Sequence, residues 1–198
     1  MTKLVEQDYI DAAKSLGCEI SAVKAVVSVE SGGSGFFKDG HCKTLFEGHV
    51  FYRELQQIKI DPKKLMTTDN ADVLYKTWTR RFYGTSDKRE VARLNEAIII
   101  NLDCALRSAS WGMFQILGDN HVECGCKTID EFVTIMRSGE KGQLGLFINF
   151  LKFTRLDRHL ITKSWGKFAL GYNGRSYAEN EYDKKLDKSY KAHKKLNK

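Results

Sequence analysis

Proline is almost missing from this 198-residue chain, which holds a single one, Pro62. β-Rich folds need more turn punctuation than that, so the composition favours helices. Cysteine is present but in an odd number: Cys18, Cys42, Cys104, Cys124 and Cys126 make five, a poor fit to a secreted disulfide framework. Cys124 and Cys126 form a C-x-C with no second Cys or His pair at zinc-like spacing, so reduced, partly buried thiols are expected, with no metal and no cofactor. No stretch approaches the ~20 consecutive apolar residues that span a bilayer. The segment Met1 to Gln7 lacks the charged-then-apolar order of a signal peptide. The expected origin is therefore a cytoplasm, with some other route to any extracytoplasmic substrate.

A chain of this length suits one domain, 1–198, with no room for a separate binding module. Such a fold removes roughly 70% of the unfolded surface from water. The formal net charge is +7. A nucleic-acid partner would follow if that charge were spread over a groove with interleaved aromatics. Its distribution excludes this. Residues 184–198 hold seven lysines against one acid, Asp187, a surplus of +6 that leaves the body close to neutral. This lysine-rich tail suits either a solubilising helix face or attraction to an anionic bacterial surface such as lipopolysaccharide or phospholipid.

Hydrophobic spacing predicts helices over Leu4–Leu16, ending at Gly17, and over Ser21–Glu30. Lys43–Phe46 reads as a short extended piece, Glu47–Gln57 as a helix with Phe51 and Leu55 on one side, and Asp61-Pro62 as a turn. Val73–Phe82 is expected to be helical and Tyr83-Gly84-Thr85-Ser86 a loop. Lys88–Leu106 reads as one long helix whose middle, Ala97-Ile98-Ile99-Ile100, suggests burial on all sides. Ser110–Leu117 reads as a further short helix. Helices are also expected from a cap at Asp130 to Arg137, over Gln143–Phe153, Trp165–Leu170 and Tyr177–Leu196. The fold class is mainly α: one helical domain with at most a short β-hairpin.

Within the second helix, Val23, Val26, Val27 and Glu30 fall at i, i+3, i+4 and i+7, a single stripe. A carboxylate there loses hydration, and desolvation raises its pKa, as a general acid at neutral pH requires. The negative end of the helix dipole acts in the same direction. Ser31-Gly32-Gly33-Ser34-Gly35 follows, a loop that a substrate can approach. Periodicity alone fits a solvent-facing glutamate at a frayed end at least as well. Glu47, in Leu45-Phe46-Glu47-Gly48-His49, supplies a second carboxylate among apolar neighbours, and glycoside hydrolysis uses such a pair. His49 either orients Glu47 or serves the helix structurally, and Glu54 is expected to be solvated.

The segment Ser108-Ala109-Ser110-Trp111-Gly112-Met113-Phe114-Gln115-Ile116 mixes small, aromatic and amide groups. Gln115 can both donate to and accept from a sugar, whereas Trp111 reads as a stacking platform or a core residue. Tyr172-Asn173-Gly174 sets a phenol and an amide at the end of an apolar helix, either as binding groups or as a C-cap.

Taken together, these pieces resemble the phage-type N-acetylmuramidase endolysins, which share a lysozyme-like design. The matching stretches are Val26-Val27-Ser28-Val29-Glu30-Ser31, Leu45 to Tyr52, Ser110 to Ile116 and Gly171-Tyr172-Asn173-Gly174. The likeness extends from about Gly17 to about Tyr190. It implies a lysozyme-like fold, cleavage of the β-1,4 bond between N-acetylmuramic acid and N-acetylglucosamine, and bacterial lysis by a monomer released from the host cytoplasm. It also implies Glu30 as acid, Glu47 as second carboxylate, and Ser110, Gln115, Tyr172 and Asn173 as substrate-binding groups. Arg175 and Ser176 stand where a Pro-Gly turn would be familiar. Two alternatives follow from the same residues: a lytic transglycosylase, which needs no second carboxylate, and a non-catalytic wall-binding module.

Overall fold

Two helices that meet at Gly17 open the chain in the computed structural model, which describes residues 3–30, 33–83 and 86–196. Ser31 and Gly32 of the expected glycine loop, Gly84 and Thr85 of the expected 83–86 loop, and residues 1–2 and 197–198 lie outside the described residues. Helix α1 (Glu6–Leu16) stops where Gly17 takes φ +67°, and the N–H of Cys18 returns to the Ala13 carbonyl at 3.1 Å. That left-handed residue is cheap only for glycine. Helix α2 (Ile20–Glu30) buries Val23, Val26 and Val27, the stripe read from the spacing.

Strand β1 (Thr44–Phe46) leads into α3 (Gly48–Gln57), whose Phe51 and Leu55 are fully buried. A 3-10 turn at Pro62–Lys64 follows, with the Asp61 side chain accepting from the Lys63 N–H. The expected helix over Val73–Phe82 does not form. Val73, Leu74 and Tyr75 are all buried. Three consecutive residues cannot share one helical face, so an irregular, turn-rich chain inserts them together.

The long helix expected over Lys88–Leu106 is two, α4 (Asp87–Ile100) and α5 (Leu102–Arg107). Asn101 breaks it, adopting extended φ/ψ while its side chain accepts from the Cys104 N–H at 3.0 Å and caps α5. The isoleucine run is correspondingly not buried on all sides: Ala97 is, but Ile99 is 85% exposed. Ser110–Leu117 is also not a helix. Strands β2 (Ala109–Trp111) and β3 (Ile116–Leu117) form a hairpin there, turned through Gly112 at φ +71° and Gln115 at φ +49°. Cross-strand pairing to β1 outweighs the local pattern and gives a three-stranded antiparallel sheet in the order β1-β2-β3.

Four longer helices and a short one complete the chain: α6 (Ile129–Ser138), α7 (Glu140–Phe153), α8 (Asp157–Ile161), α9 (Trp165–Asn173) and α10 (Tyr182–Leu196). Thr128, rather than the expected Asp130, caps α6 by accepting from the Glu131 N–H. Helix α10 starts five residues later than the spacing suggested, after a 3-10 turn at Arg175–Tyr177. It is no free tail. Leu186 and Tyr190 are buried as α10 packs on α2 and α9, and the Tyr190 hydroxyl donates to Glu19 at 2.8 Å. A continuous hydrophobic core runs from α1 to α10. All five cysteines are free thiols, four of them buried. Among the described residues no helix is long and apolar enough to cross a membrane.

Candidate active site

Glu30 ends α2 and Asn173 ends α9, and the two termini meet. The Asn173 Nδ2 donates to Glu30 Oε1 at 3.1 Å. Burial pushes the Glu30 carboxyl above its ordinary range, and the Asn173 bond pulls it part of the way back. Both effects have plain causes: lost hydration disfavours the anion, while a donor to the carboxylate favours it. Glu30 opens into a cavity of about 310 Å³ walled by Gln115, Ile116 and Leu117 of the hairpin, by Asn120, and by Tyr172 and Tyr182. The Tyr172 hydroxyl is spent structurally, donating to the Phe114 carbonyl at 2.7 Å. Its ring edge meets Phe147, which stacks on Phe114. Gln115 is exposed, and its Nε2 donates to the Gly112 carbonyl at 2.8 Å, while Oε1 has no hydrogen-bond partner among the described residues.

The sheet extends this site sideways. Register pairs Leu45 with Ser110 and Ser110 with Leu117, and all three are half-buried while their strand neighbours are buried. They form one cross-strand row on the open face, with Leu117 at the wall of the Glu30 cavity. Ser110 sits in the middle of that row and not on the cavity wall. The period of two places Glu47, just past β1, on the same side as Leu45. Glu47 is not on the wall of the Glu30 cavity. It stands at the opposite edge of the sheet, two strand spacings or about 10 Å from β3.

Glu47 is held there firmly. Its own N–H donates to the Ser108 carbonyl at 2.9 Å. The Phe46 N–H donates to Glu90 at 3.3 Å and the Gly48 N–H to the Tyr75 hydroxyl at 3.2 Å, so three consecutive amides are anchored. Behind them Arg93, with no exposed surface, donates to Glu90 at 3.1 Å and to Tyr75 at 3.4 Å. The Tyr83 hydroxyl donates to Glu47 Oε2, leaving Oε1 without a hydrogen-bond partner among the described residues. His49 Nδ1 comes to 3.5 Å of Glu47 Oε2 without a hydrogen bond, and its ring stacks on Tyr75. Burial holds this imidazole below its ordinary pKa, a packed neutral ring at pH 7.

A fully buried amide, Gln143 on α7, joins the loops around the site. Its Oε1 accepts from the Met113 N–H at 2.8 Å, and its Nε2 donates to the Met136 carbonyl at 2.9 Å and the Gly35 carbonyl at 3.4 Å. A Cβ at Gly35 would lie 1.9 Å from Gln143, and one at Gly112 2.7 Å, so both glycines are required by close approach. Gly35 and the hairpin that carries Gln115 are thus locked to one side chain.

The sequence missed Gln143, Tyr83, Tyr75 and Tyr182. Gln143 carried the same signal as Glu30, a polar residue in line with Phe147 and Leu151 at i+4 and i+8; nothing local marked the tyrosines. Trp111 is a core residue, 1% exposed, with its Nε1 donating to the Leu106 carbonyl. Glu54, expected to be solvated, is buried instead. It lies four residues after Val50 and three after Phe51, on the buried face of α3, and accepts from Gln57 at 3.3 Å. Burial pushes its carboxyl up as well.

The N-acetylmuramidase family model matches residues 19–194. Among solved structures the chain is similar to the crystal structure of Burkholderia AP3 phage endolysin, with a TM-score of 0.89 and 34% identity over 98% of this chain and 72% of that one. A search of curated proteins finds no match.

Proposed function

The chain belongs to the N-acetylmuramidase family, and from that premise we propose that Glu30 is the catalytic acid and Glu47 the second carboxylate of its site. The protein is a lysozyme-type glycoside hydrolase of the phage endolysin kind. It cleaves peptidoglycan at the β-1,4 bond between N-acetylmuramic acid and N-acetylglucosamine.

The observation that carries the reading is Glu30 itself: half-buried, its pKa raised by desolvation, held by Asn173, and opening on a cavity lined by sugar-compatible groups. A carboxyl that keeps its proton near neutral pH can pass it to the leaving glycosidic oxygen. Asn173 fixes the carboxyl through Oε1 and leaves the other oxygen to face the bond. Gln115 binds substrate through its free amide oxygen, and Ser110 continues the contact along the sheet. Tyr172 supports the cavity wall.

Glu47 stands across the sheet with one free oxygen. Retaining pairs stand ~5–5.5 Å apart and inverting pairs ~6.5–9.5 Å; a Glu47 that lies across the sheet from the wall of the Glu30 cavity favours the wide arrangement, in which the second carboxylate activates a water and the sugar inverts. Digestion of purified sacculi with the wild type and with Glu30→Gln tests the reading. Hydrolysed muropeptides from the wild type and none from the variant are expected; an anhydro-muramyl mass would assign a transglycosylase instead.

Residues 1–198 act in this reading as one catalytic unit and as a monomer, made in the host cytoplasm and released to the wall at lysis. The C-terminal helix supports contact with anionic bacterial surfaces only in part. Lys184, Lys191 and Lys194 are engaged with Glu181, Asp187 and Glu19. Lys185 lies over the Tyr182 ring. Lys188 and Lys195 have no carboxylate partner among the described residues and are the cations most open to make that contact.

A further inference from the structure

A second cavity, larger than the one beside Glu30, lies elsewhere in the fold. It measures about 680 Å³, lies between α8 and α9, and has a cationic rim over an apolar base. Arg158 and Lys167 stand on the rim and are both exposed, and neither has a carboxylate within 4.0 Å among the described residues. His159 joins them. Leu156 and Leu170 supply the base, and Leu170 is 47% exposed although it belongs to a helix that is otherwise well packed. Thr162 and Ser164 add hydroxyls, 3.0 Å from one another. Two exposed cations thus stand beside an open leucine on one surface of the protein.

The position of the cavity indicates what fills it. Helix α9 has Lys167, Leu170 and Gly171 on this side, and its last residues, Tyr172 and Asn173, are on the wall of the Glu30 cavity. From Lys167 to Asn173 is about 9 Å along the helix axis, and at about 100° per residue the two cavities open on opposite sides of α9, a helix about 10–12 Å across. A peptide that passes round the helix end between them needs about five extended residues at roughly 3.3–3.6 Å each. Peptidoglycan carries a short peptide branch on each muramic acid, made of small apolar residues and free carboxylates. An acidic chain with methyl side groups matches a cationic rim over leucine in both charge and polarity.

We propose that the cavity between α8 and α9 is a subsite for the peptide branch of the wall, with Arg158 and Lys167 taking its carboxylates and Leu156 and Leu170 its apolar side groups. The proposal rests on the reading of Glu30 as the site of cleavage. Its consequence is a preference for peptide-bearing over naked glycan, exercised at binding and not at bond breaking.

The test compares two substrates at fixed ionic strength: sacculi freed of phosphate polymers with their peptides attached, and the same glycan stripped of peptides by an amidase. Arg158→Glu with Lys167→Glu is expected to raise KM about tenfold on the first, with kcat unchanged, and to leave KM on the second unchanged. Lys63→Glu with Lys64→Glu, an equal charge change on an exposed turn away from α9, is expected to alter neither. Loss of equal size on both substrates, or no change on either, would overturn the proposal. So would a preference that is seen only when phosphate polymers are left in place, which would make those polymers the anion. Failure of the Glu30 reading shows separately, as activity retained by Glu30→Gln on both substrates.

Discussion

Asn173 holds Glu30 across 143 residues of chain, its side-chain amide donating to the carboxylate at 3.1 Å. The bond favours the anion, whereas burial favours the acid, and burial is the larger effect. Asn173→Ala removes the opposing influence, so the Glu30 pKa rises further. The basic limb of the kcat/KM pH profile is expected to move to higher pH, with Asn173→Gln restoring part of the original position. A profile that stays in place would show that Asn173 does not act on the proton of Glu30.

Glu30→Gln is expected to lower kcat by about 10²–10⁴-fold, the usual share of a positioned general acid. Stability should move the other way. Because the folded state raises this pKa, the fold binds the proton more tightly than the unfolded chain does. Glu30 therefore costs stability at pH values above its folded pKa, and the cost disappears as pH falls below the unfolded value. Every tenfold tightening of that proton on folding corresponds to about 1.4 kcal/mol. Thermal melts should find the variant more stable than wild type at pH 8, with the difference gone near pH 3.

Glu47→Gln keeps the shape and removes the charge. If Glu47 activates water, kcat falls by roughly 10²-fold or more, and proton NMR of the first-formed product shows the inverted anomer. Tyr83→Phe removes the donor to Oε2 and is expected to lower kcat less, with little change in KM. Near-full activity of Glu47→Gln would take this carboxylate out of the mechanism.

Gln143→Leu leaves the Met113 N–H and Met136 carbonyl buried without their partner. A buried group left unpaired costs about 1–3 kcal/mol, so the melting temperature should fall by roughly 5 °C or more. Gln143→Glu, which keeps an acceptor for Met113, should lose less at low pH, where its carboxyl is protonated and can also donate.

Deleting residues 183–196 removes Leu186 and Tyr190 from the core along with the tail lysines. Burial of a leucine alone is worth about 2–5 kcal/mol, so the truncated chain is expected to melt far below wild type or not to fold. Lys188→Gln with Lys195→Gln tests the surface charge without that loss: the melting temperature should be retained while binding to anionic vesicles weakens.

Spacing and residue type determined a good part of this protein before any contact was known. A glutamate in line with Val23, Val26 and Val27 singled out Glu30, and Gly17 marked the end of α1, because helical periodicity and a left-handed cap are local properties of the chain. Tertiary structure decided what local preference cannot express. The hairpin replaced a helix at 110–117 because β1, more than sixty residues earlier in the chain, pairs with Ser110. Asn101 divided a long helix because its side chain found the start of the next one. The surroundings of Glu47 depend on Tyr83, Tyr75, Arg93 and Ser108, which meet only once the chain has folded. Glu54 looked like a surface acid until packing closed over it. The candidate acid was legible from one helix; where Glu47 stands relative to it depends on the strand order β1-β2-β3, which only the folded chain sets.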